Sequence, residues 1–211
     1  MTMACLKRTL IFLCMVFSIT VSHVDAAAID PQPVVDYTPI VPPVPVPVGK
    51  PEVVEVFNFK CPHCYDLHPH IVAWLKSNGD HYQYRSLPVY WGRQTDMPLR
   101  AFFAAEFLGR GPQMKDALFK AHFDNNLNIE NINEIGFIAE EAGLDAEKFK
   151  SQLQSFGVST KVTQALSLQK AYGVTGTPTM VVNGKYQVSF GHHAKGDPKR
   201  FLAIIEALAL K

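Results

Sequence analysis

Hydrophobic positions along the chain change their spacing several times, and each change predicts a different element. Residues 9–21 form a largely apolar run after Lys7-Arg8, and three alanines follow at 26–28. This arrangement is typical of a cleaved signal peptide covering residues 1–28. We favour cleavage over a retained membrane anchor because the run is shorter than the ~20 apolar residues that a bilayer span needs.

The next segment is dominated by proline. Eight of the fifteen prolines fall within residues 29–51. Proline fixes φ and has no amide donor, so we predict an extended arm over residues 29–50. The arm is either a spacer or a segment along the edge of the first sheet, and we favour the spacer.

A strand, a helix and a second strand are predicted between residues 51 and 90. Val53–Phe59 is rich in β-branched and aromatic residues on both faces, which is typical of a strand buried on two sides. Apolar residues then recur at helical spacing through Tyr65–Lys76, and Tyr82–Leu87 has the composition of another strand. The order predicts a βαβ unit with parallel strands.

Residues 91–158 show helical periodicity and no good strand, which predicts an inserted all-helical subdomain of four helices. Gly143 is predicted to end the third helix and Asp145 to cap the fourth, whose inner face would carry Phe149, Leu153 and Phe156.

Residues 159–211 again combine predicted helices with predicted strands, as residues 51–90 do. A helix from Ser159 to Tyr172 precedes two apolar runs joined by Asn183-Gly184, the strongest short signal for a hairpin. Asp197-Pro198 is predicted to open a last helix.

Charge and cysteine content restrict the classes of function that the chain can have. The chain has a formal net charge of +1 and no run of basic residues, so we predict no nucleic-acid partner. Removal of residues 1–28 leaves two cysteines, Cys61 and Cys64. A pair three positions apart closes almost no loop of unfolded chain, so it cannot serve as a stabilising framework. Such a pair indicates reactive cysteines and not a structural disulfide.

The motif Cys61-Pro62-His63-Cys64 lies between a predicted strand and the first turn of a predicted helix. Unpaired amide donors and the positive end of the helix dipole favour a thiolate at Cys61, and His63 can add a positive charge or a hydrogen bond. Stabilising the thiolate stabilises the reduced form over the disulfide, and each pKa unit is worth about 30 mV for the two-electron couple. The motif therefore predicts an oxidant.

These landmarks, together with Gly176-Thr177-Pro178 before a strand and the Asn183-Gly184 hairpin, resemble the DsbA family of periplasmic disulfide-bond oxidases over roughly residues 50–211. The resemblance implies an α/β thioredoxin fold interrupted by a helical domain. It also implies an exposed reactive Cys61, a buried Cys64, and a cis Pro178 facing them, with the backbone of Thr177 offered to substrate peptides.

Two positions carry further implications. The resemblance makes Glu55 a buried acid that helps move the Cys64 proton; an exposed edge site and a structural pair are its alternatives. In better-known family members a buried Lys pairs with this acid, whereas the matching strand here offers Tyr84 with Arg85 beside it. Thr177 stands where many family oxidases carry an apolar β-branched residue, and its hydroxyl either tunes the sulfurs or supports the loop.

We expect no metal site, because His68 and His70 are two positions apart and cannot both point from one helix toward an ion bound by Cys61 and Cys64. No cofactor is expected beyond the redox-active Cys61–Cys64 disulfide.

The leading hypothesis is a periplasmic dithiol oxidase acting on reduced or misoxidised exported proteins, with a DsbB-like membrane reoxidase as partner. The alternatives are an isomerase or reductase of the same fold, a metal carrier and a peptide-holding chaperone. The arm could support a dimer, and the oligomeric state is left open.

Overall fold

A five-stranded mixed sheet forms the centre of the molecule in the computed structural model, which describes residues 36–211. The predicted signal peptide and residues 29–35 lie outside the described residues. The strands are β1 (Thr38–Pro39), β2 (Glu52–Phe57), β3 (Gln83–Pro88), β4 (Thr179–Val182) and β5 (Tyr186–Ser189). Their order in the sheet is β1-β5-β4-β2-β3; β2 and β3 run parallel, and the other neighbours are antiparallel.

Seven α-helices accompany the sheet in the described part of the chain. They are α1 (Pro62–Asn78), α2 (Met97–Phe107), α3 (Gly111–Phe123), α4 (Ile132–Glu141), α5 (Ala146–Leu153), α6 (Phe156–Ala171) and α7 (Pro198–Ala209). A 3₁₀ turn at Gly79–His81 follows α1. Only helices occur between β3 and α6, and none of the described helices is long and apolar enough to cross a membrane.

Local signals account for most element ends. Asp145 accepts a hydrogen bond from the Lys148 amide and caps α5, and Asp197 caps α7 in the same way. Gly143 adopts the positive φ of 77° that a helix C-terminus favours. Asn183 and Gly184 both have positive φ values, 51° and 61°, as the tight hairpin predicted between β4 and β5 requires.

Two predicted boundaries were wrong. The Ser155 hydroxyl accepts a hydrogen bond from the Val158 amide, so α6 begins at Phe156 and not at Ser159. Phe156 is consequently the first residue of α6 and is 87% exposed, instead of lying on the inner face of the preceding helix. The first strand ends at Phe57 instead of Phe59, because Asn58 turns the chain toward the helix.

The proline-rich arm is attached to the sheet, contrary to the spacer that the sequence favoured. Thr38 and Pro39 pair with β5, and the amides of Ile40 and Val44 donate to the carbonyls of Lys185 and Gly184 at 2.8 and 2.9 Å. A Cβ on Gly184 would lie 2.0 Å from the Val44 carbonyl oxygen, so glycine is needed where the arm crosses the hairpin. The described part of the arm therefore forms the edge of the sheet.

The core lies on both faces of β2, whose six residues are all buried. One cluster contains Val54 and Val56 together with the inner faces of α2 to α6, and a second contains Val53 with the inner faces of α1 and α7. One ion pair crosses from the sheet to the helical region: Lys115 of α3 donates to Glu55 of β2 at 2.5 Å, and the two side chains are 5% and 1% exposed.

We predict that Lys115→Met lowers the free energy of unfolding by about 3–5 kcal/mol, because it leaves the Glu55 carboxylate buried without its cation. The double variant Glu55→Gln, Lys115→Met should recover most of this loss, since no buried charge remains. Urea unfolding of the oxidised protein measures both.

The matched control is Lys60→Met, which removes a partly exposed ion pair to Glu130. Its cost should stay below about 1 kcal/mol. An equal loss of unfolding free energy in Lys60→Met and Lys115→Met would contradict the larger contribution that we expect from the buried pair.

Candidate active site

Cys61 occupies the N-cap of α1, where the chain passes from the sheet into the helix. It has an extended backbone, φ −92° and ψ 114°, and its carbonyl accepts hydrogen bonds from the amides of Cys64 and Tyr65 at 3.0 and 3.1 Å. Pro62 begins the helix, a position at which its missing amide costs nothing. Cys64 lies one turn further on and is 1% exposed, whereas Cys61 is partly exposed. Both are free thiols in this structure.

The two thiols differ strongly in acidity. A hydrogen bond from Cys64 lowers the pKa of Cys61 from 9.0 to about 6, aided by Thr177 and by the backbone amides of Cys64 and His63, and opposed by partial burial. Burial raises the pKa of Cys64 far above its usual range, and the neighbouring Cys61 adds to this increase. The site thus presents one thiolate to solvent and holds one protonated thiol in the core.

The loop before β4 faces the exposed sulfur. The Thr177–Pro178 peptide bond is cis, as the family resemblance implies. Cys61 Sγ lies 3.5 Å from the Thr177 carbonyl oxygen, which accepts from Cys61 only while the thiol is protonated, and the Thr179 hydroxyl donates to the Gly176 carbonyl at 2.8 Å. Thr177 therefore contacts Cys61 through its backbone, and a hydrogen bond from its side chain contributes to the lowered pKa of Cys61.

His63 follows Pro62 on the first turn of α1 and is exposed. Its contribution to the acidity of Cys61 is a backbone hydrogen bond. The role that the sequence assigned to its imidazole stays a prediction.

Asn58, which the sequence analysis missed, fixes the turn before Cys61. Its buried side chain donates to the Val89 carbonyl at 2.9 Å and to Gln94 Oε1 at 2.7 Å, and it accepts from the Lys60 amide at 2.7 Å. The Asn58 carbonyl in turn accepts from the Cys61 amide at 3.1 Å. A buried asparagine that ends an apolar strand is the sequence signal that could have identified this turn.

The helical region also borders the motif. The Tyr65 hydroxyl donates to Asp124 at 2.6 Å, and Lys60 forms an ion pair with Glu130 at 2.8 Å. Both acceptors follow α3, so residues of the inserted region hold the segment on either side of the cysteines.

Glu55 is buried in β2, the strand that leads to the motif, and accepts hydrogen bonds from two donors, Lys115 and the Tyr84 hydroxyl. Tyr84 is the contact expected from the neighbouring strand, whereas Arg85 forms its ion pair with Glu52. Burial, reinforced by the charge of Glu55, raises the pKa of Tyr84 well above its ordinary value, so its hydroxyl stays protonated as a donor.

Lys115, the cationic partner of Glu55, comes from α3 and not from the strand on which the sequence analysis sought it. Its position beside Met114 and four residues before Phe119, inside the apolar stripe of a helix, is the signal that could have revealed it. Long-range pairings of this kind are not encoded in the spacing along one segment.

His68 does not join the cysteines. Its Nε2 is 2.5 Å from Asp116 Oδ1 on α3, and His70 is exposed. Within residues 36–211 no three His, Cys, Asp or Glu side chains are grouped so as to hold a metal ion.

Comparison with known proteins agrees with this geometry. Residues 68–195 match the model of the DSBA-like thioredoxin domain family. The chain is 37% identical over 147 residues to the thiol:disulfide interchange protein DsbA of Burkholderia cepacia, covering 69% of this chain and 68% of that protein. It is 35% identical over 170 residues to DsbA of Pseudomonas aeruginosa, covering 79% and 80%.

Solved structures show the same relationship. The crystal structure of P. aeruginosa DsbA superposes with a TM-score of 0.74 at 34% identity, covering 82% of this chain and 90% of that one. The oxidoreductase DsbA from Xylella fastidiosa gives a TM-score of 0.74 at 30% identity over 83% and 94%. The paired cysteines at the start of α1, the facing cis-proline loop and these similarities place the chain in the DsbA family of thiol:disulfide oxidoreductases.

Proposed function

We propose that this oxidoreductase donates disulfides to exported proteins. The observation that carries the proposal is the contrast between the two sulfurs: Cys61 is accessible with a pKa of about 6, whereas burial holds the pKa of Cys64 high. A stable, exposed thiolate favours the reduced enzyme and makes Cys61 a good leaving group. The oxidised enzyme is therefore the reactive one.

In the proposed reaction a substrate thiolate attacks Sγ of Cys61 in the Cys61–Cys64 disulfide. The bond between the two enzyme sulfurs breaks, and Cys64 leaves as a thiolate that takes up one proton. The second substrate thiolate then attacks the substrate sulfur of the mixed disulfide and releases Cys61 as a thiolate. Two electrons pass from the substrate dithiol to the enzyme, which needs no cofactor beyond its own two cysteines.

Thr177 and Pro178 are the proposed peptide-binding residues. The backbone of this loop lies beside Cys61, so a peptide lying along it would bring its sulfur to the reacting atom. His63 lies on the first turn of α1, and its exposed imidazole is proposed to contact the peptide or the developing thiolate.

Glu55 is proposed to exchange the Cys64 proton. The Glu55 carboxylate is 1% exposed and hydrogen-bonded to Lys115 and Tyr84, so it is shielded from bulk solvent within the strand that leads to the motif. It is a positioning residue for the proton and not a nucleophile.

The setting of the reaction is part of the proposal. Residues 1–28 would direct export to the periplasm, where disulfides persist. The reduced enzyme would pass its two electrons to a quinone-linked membrane reoxidase of the DsbB kind. Isomerisation of misoxidised proteins is a second candidate function, favoured by Thr177, whose hydroxyl stands before the cis-proline.

Redox titration tests the proposal. We expect the Cys61–Cys64 couple, equilibrated with glutathione and read by alkylation, to have a midpoint within the span of DsbA and protein disulfide isomerase, about −120 to −180 mV. A midpoint close to that of thioredoxin, about −270 mV, would identify a reductase and contradict a disulfide donor. Cys61→Ser should abolish transfer altogether.

Alkylation of the reduced protein tests the acidity of Cys61. Its rate should rise with a midpoint near pH 6. Cys64→Ala should move the midpoint upward because it removes the largest contribution that lowers the pKa of Cys61. Cys64→Ser, which keeps a hydroxyl donor, should move it less. Identical midpoints for Cys64→Ala and the parent protein would show that the inter-thiol hydrogen bond does not set the acidity.

A further inference from the structure

The buried Glu55–Lys115 pair is adjacent to a cavity. Tyr84, Ser86 and Lys115, which form the polar surroundings of Glu55, line a space of about 360 Å³ between α1, β3, α2 and α3. The lining is mostly apolar, but the space is large enough to hold ordered water beside these polar side chains. The buried carboxylate is therefore linked to the cavity through its own hydrogen-bond partners.

A second crevice, of about 710 Å³, lies between α1 and α3 and includes Tyr65 of the first turn after the cysteines. Three residues line both spaces: His68, Val72 and Asp116. Two of the three are polar and hydrogen-bonded to each other. The His68 side chain is 13% exposed and that of Asp116 is 53% exposed, so the pair runs from the interior to solvent.

The two nitrogens of His68 have different surroundings. Nε2 lies 2.5 Å from the Asp116 carboxylate, whereas Nδ1 is buried and has no hydrogen-bond partner among the described residues. A buried polar atom without a partner is costly, and such atoms are found where a water or a transferred proton completes the site. Because Asp116 accepts from Nε2–H, Nδ1 of a neutral imidazole is left as an acceptor.

Burial favours the neutral form of the His68 imidazole. Burial, with help from the positive charge of Lys115, lowers the pKa of His68, while Asp116 and Glu55 act in the opposite sense. A neutral imidazole has one donor and one acceptor nitrogen, which suits it to pass a proton from one side to the other. The other ionisable groups that line the two spaces are Tyr65, Asp66, Lys76, Tyr84, Arg85, Glu106, Lys115, Asp116 and Lys120, and Glu55 is bonded to two of them.

We propose that His68 and Asp116 connect Glu55 to solvent and carry the proton that Cys64 loses and regains in each redox cycle. During oxidation the Cys64 thiol gives its proton to Glu55, and Glu55 passes a proton to a water in the cavity by way of the Tyr84 hydroxyl, which lines the cavity. That water gives a proton to Nδ1 of His68, and Nε2–H releases one to Asp116 and solvent, so that Glu55, Tyr84 and the water end as they began. One proton enters the ring and one leaves it, so the imidazole stays neutral and changes tautomer. Reduction moves a proton inward along the same groups and restores the tautomer.

This inference rests on the proposed role of Glu55 and extends it. His68 touches neither sulfur and acts through Glu55, so it is a positioning residue for the proton. The relay matters most in the step where Cys64 must lose its proton to become a nucleophile. That step is the attack of Cys64 on a mixed disulfide at Cys61, because the high pKa of Cys64 leaves little thiolate at neutral pH.

The experiment follows that single step. Reduced protein is mixed with glutathione disulfide, samples are quenched with acid, and mass spectrometry follows formation and loss of the Cys61–glutathione mixed disulfide. We expect His68→Gln to form the mixed disulfide at the parental rate and to resolve it about tenfold more slowly, a modest part of the effect of general acid–base catalysis. Added imidazole should restore the rate, which a purely structural defect would not allow.

Control variants separate the possible outcomes. His70→Gln removes an exposed histidine from the same helix and should resolve at the parental rate. Asp116→Asn keeps a side chain of similar size but weakens the acceptor of Nε2–H, so it should slow resolution without changing mixed-disulfide formation. The redox midpoint should be unchanged in all three, because a relay alters rates and not equilibria.

Glu55→Gln distinguishes the inference from the function on which it rests. Slow resolution in Glu55→Gln with a parental rate in His68→Gln overturns the relay and leaves the role of Glu55 intact. Parental rates in both variants overturn both. If Glu55→Gln does not fold, His68→Gln, Asp116→Asn and rescue by imidazole decide the relay by themselves.

Discussion

The structure depends on the interactions that stabilise the buried carboxylate of Glu55 in the interior of the sheet. Glu55 lies in a strand whose residues are all buried, where an isolated charge would cost several kcal/mol. It is stabilised only if a cation and a hydroxyl reach it together. Lys115 must come from α3 and Tyr84 from β3, so the requirement fixes the neighbouring strand and one helix of the inserted region at the same point.

This constraint makes the helical insertion part of the redox centre. The same region that supplies Lys115 also supplies Asp124 to Tyr65 and Glu130 to Lys60, on either side of the cysteines. A thioredoxin fold without the insertion would have to neutralise Glu55 from within its own sheet. Here Lys115 of α3 neutralises Glu55 of β2, and the turn at Asn58 sets the direction in which Cys61 leaves the sheet.

Features encoded locally could be predicted from the sequence, and features made by distant segments could not. The strand before the cysteines, the hairpin at Asn183-Gly184 and the caps at Asp145 and Asp197 follow from residues close to each element. The cis bond before Pro178 came from the family resemblance alone, because few X-Pro bonds are cis. Lys115 was missed because the sequence around a lysine in the apolar stripe of a helix does not indicate which residue it pairs with, and its partner Glu55 lies 60 positions away. The proline-rich arm was misjudged because an edge strand needs few amide donors, so proline does not exclude it.

The attachment of that arm determines what this edge of the sheet offers to other extended chains. An open sheet edge offers unpaired backbone groups on which any extended chain can add a strand. With Pro39 on β1 and prolines at 42, 43, 45 and 47 beyond it, the edge of β5 is occupied by a segment that is itself poor in amide donors. An extended chain that approached this edge would find few backbone donors on which to add a strand, so the arm protects the sheet against edge-to-edge aggregation.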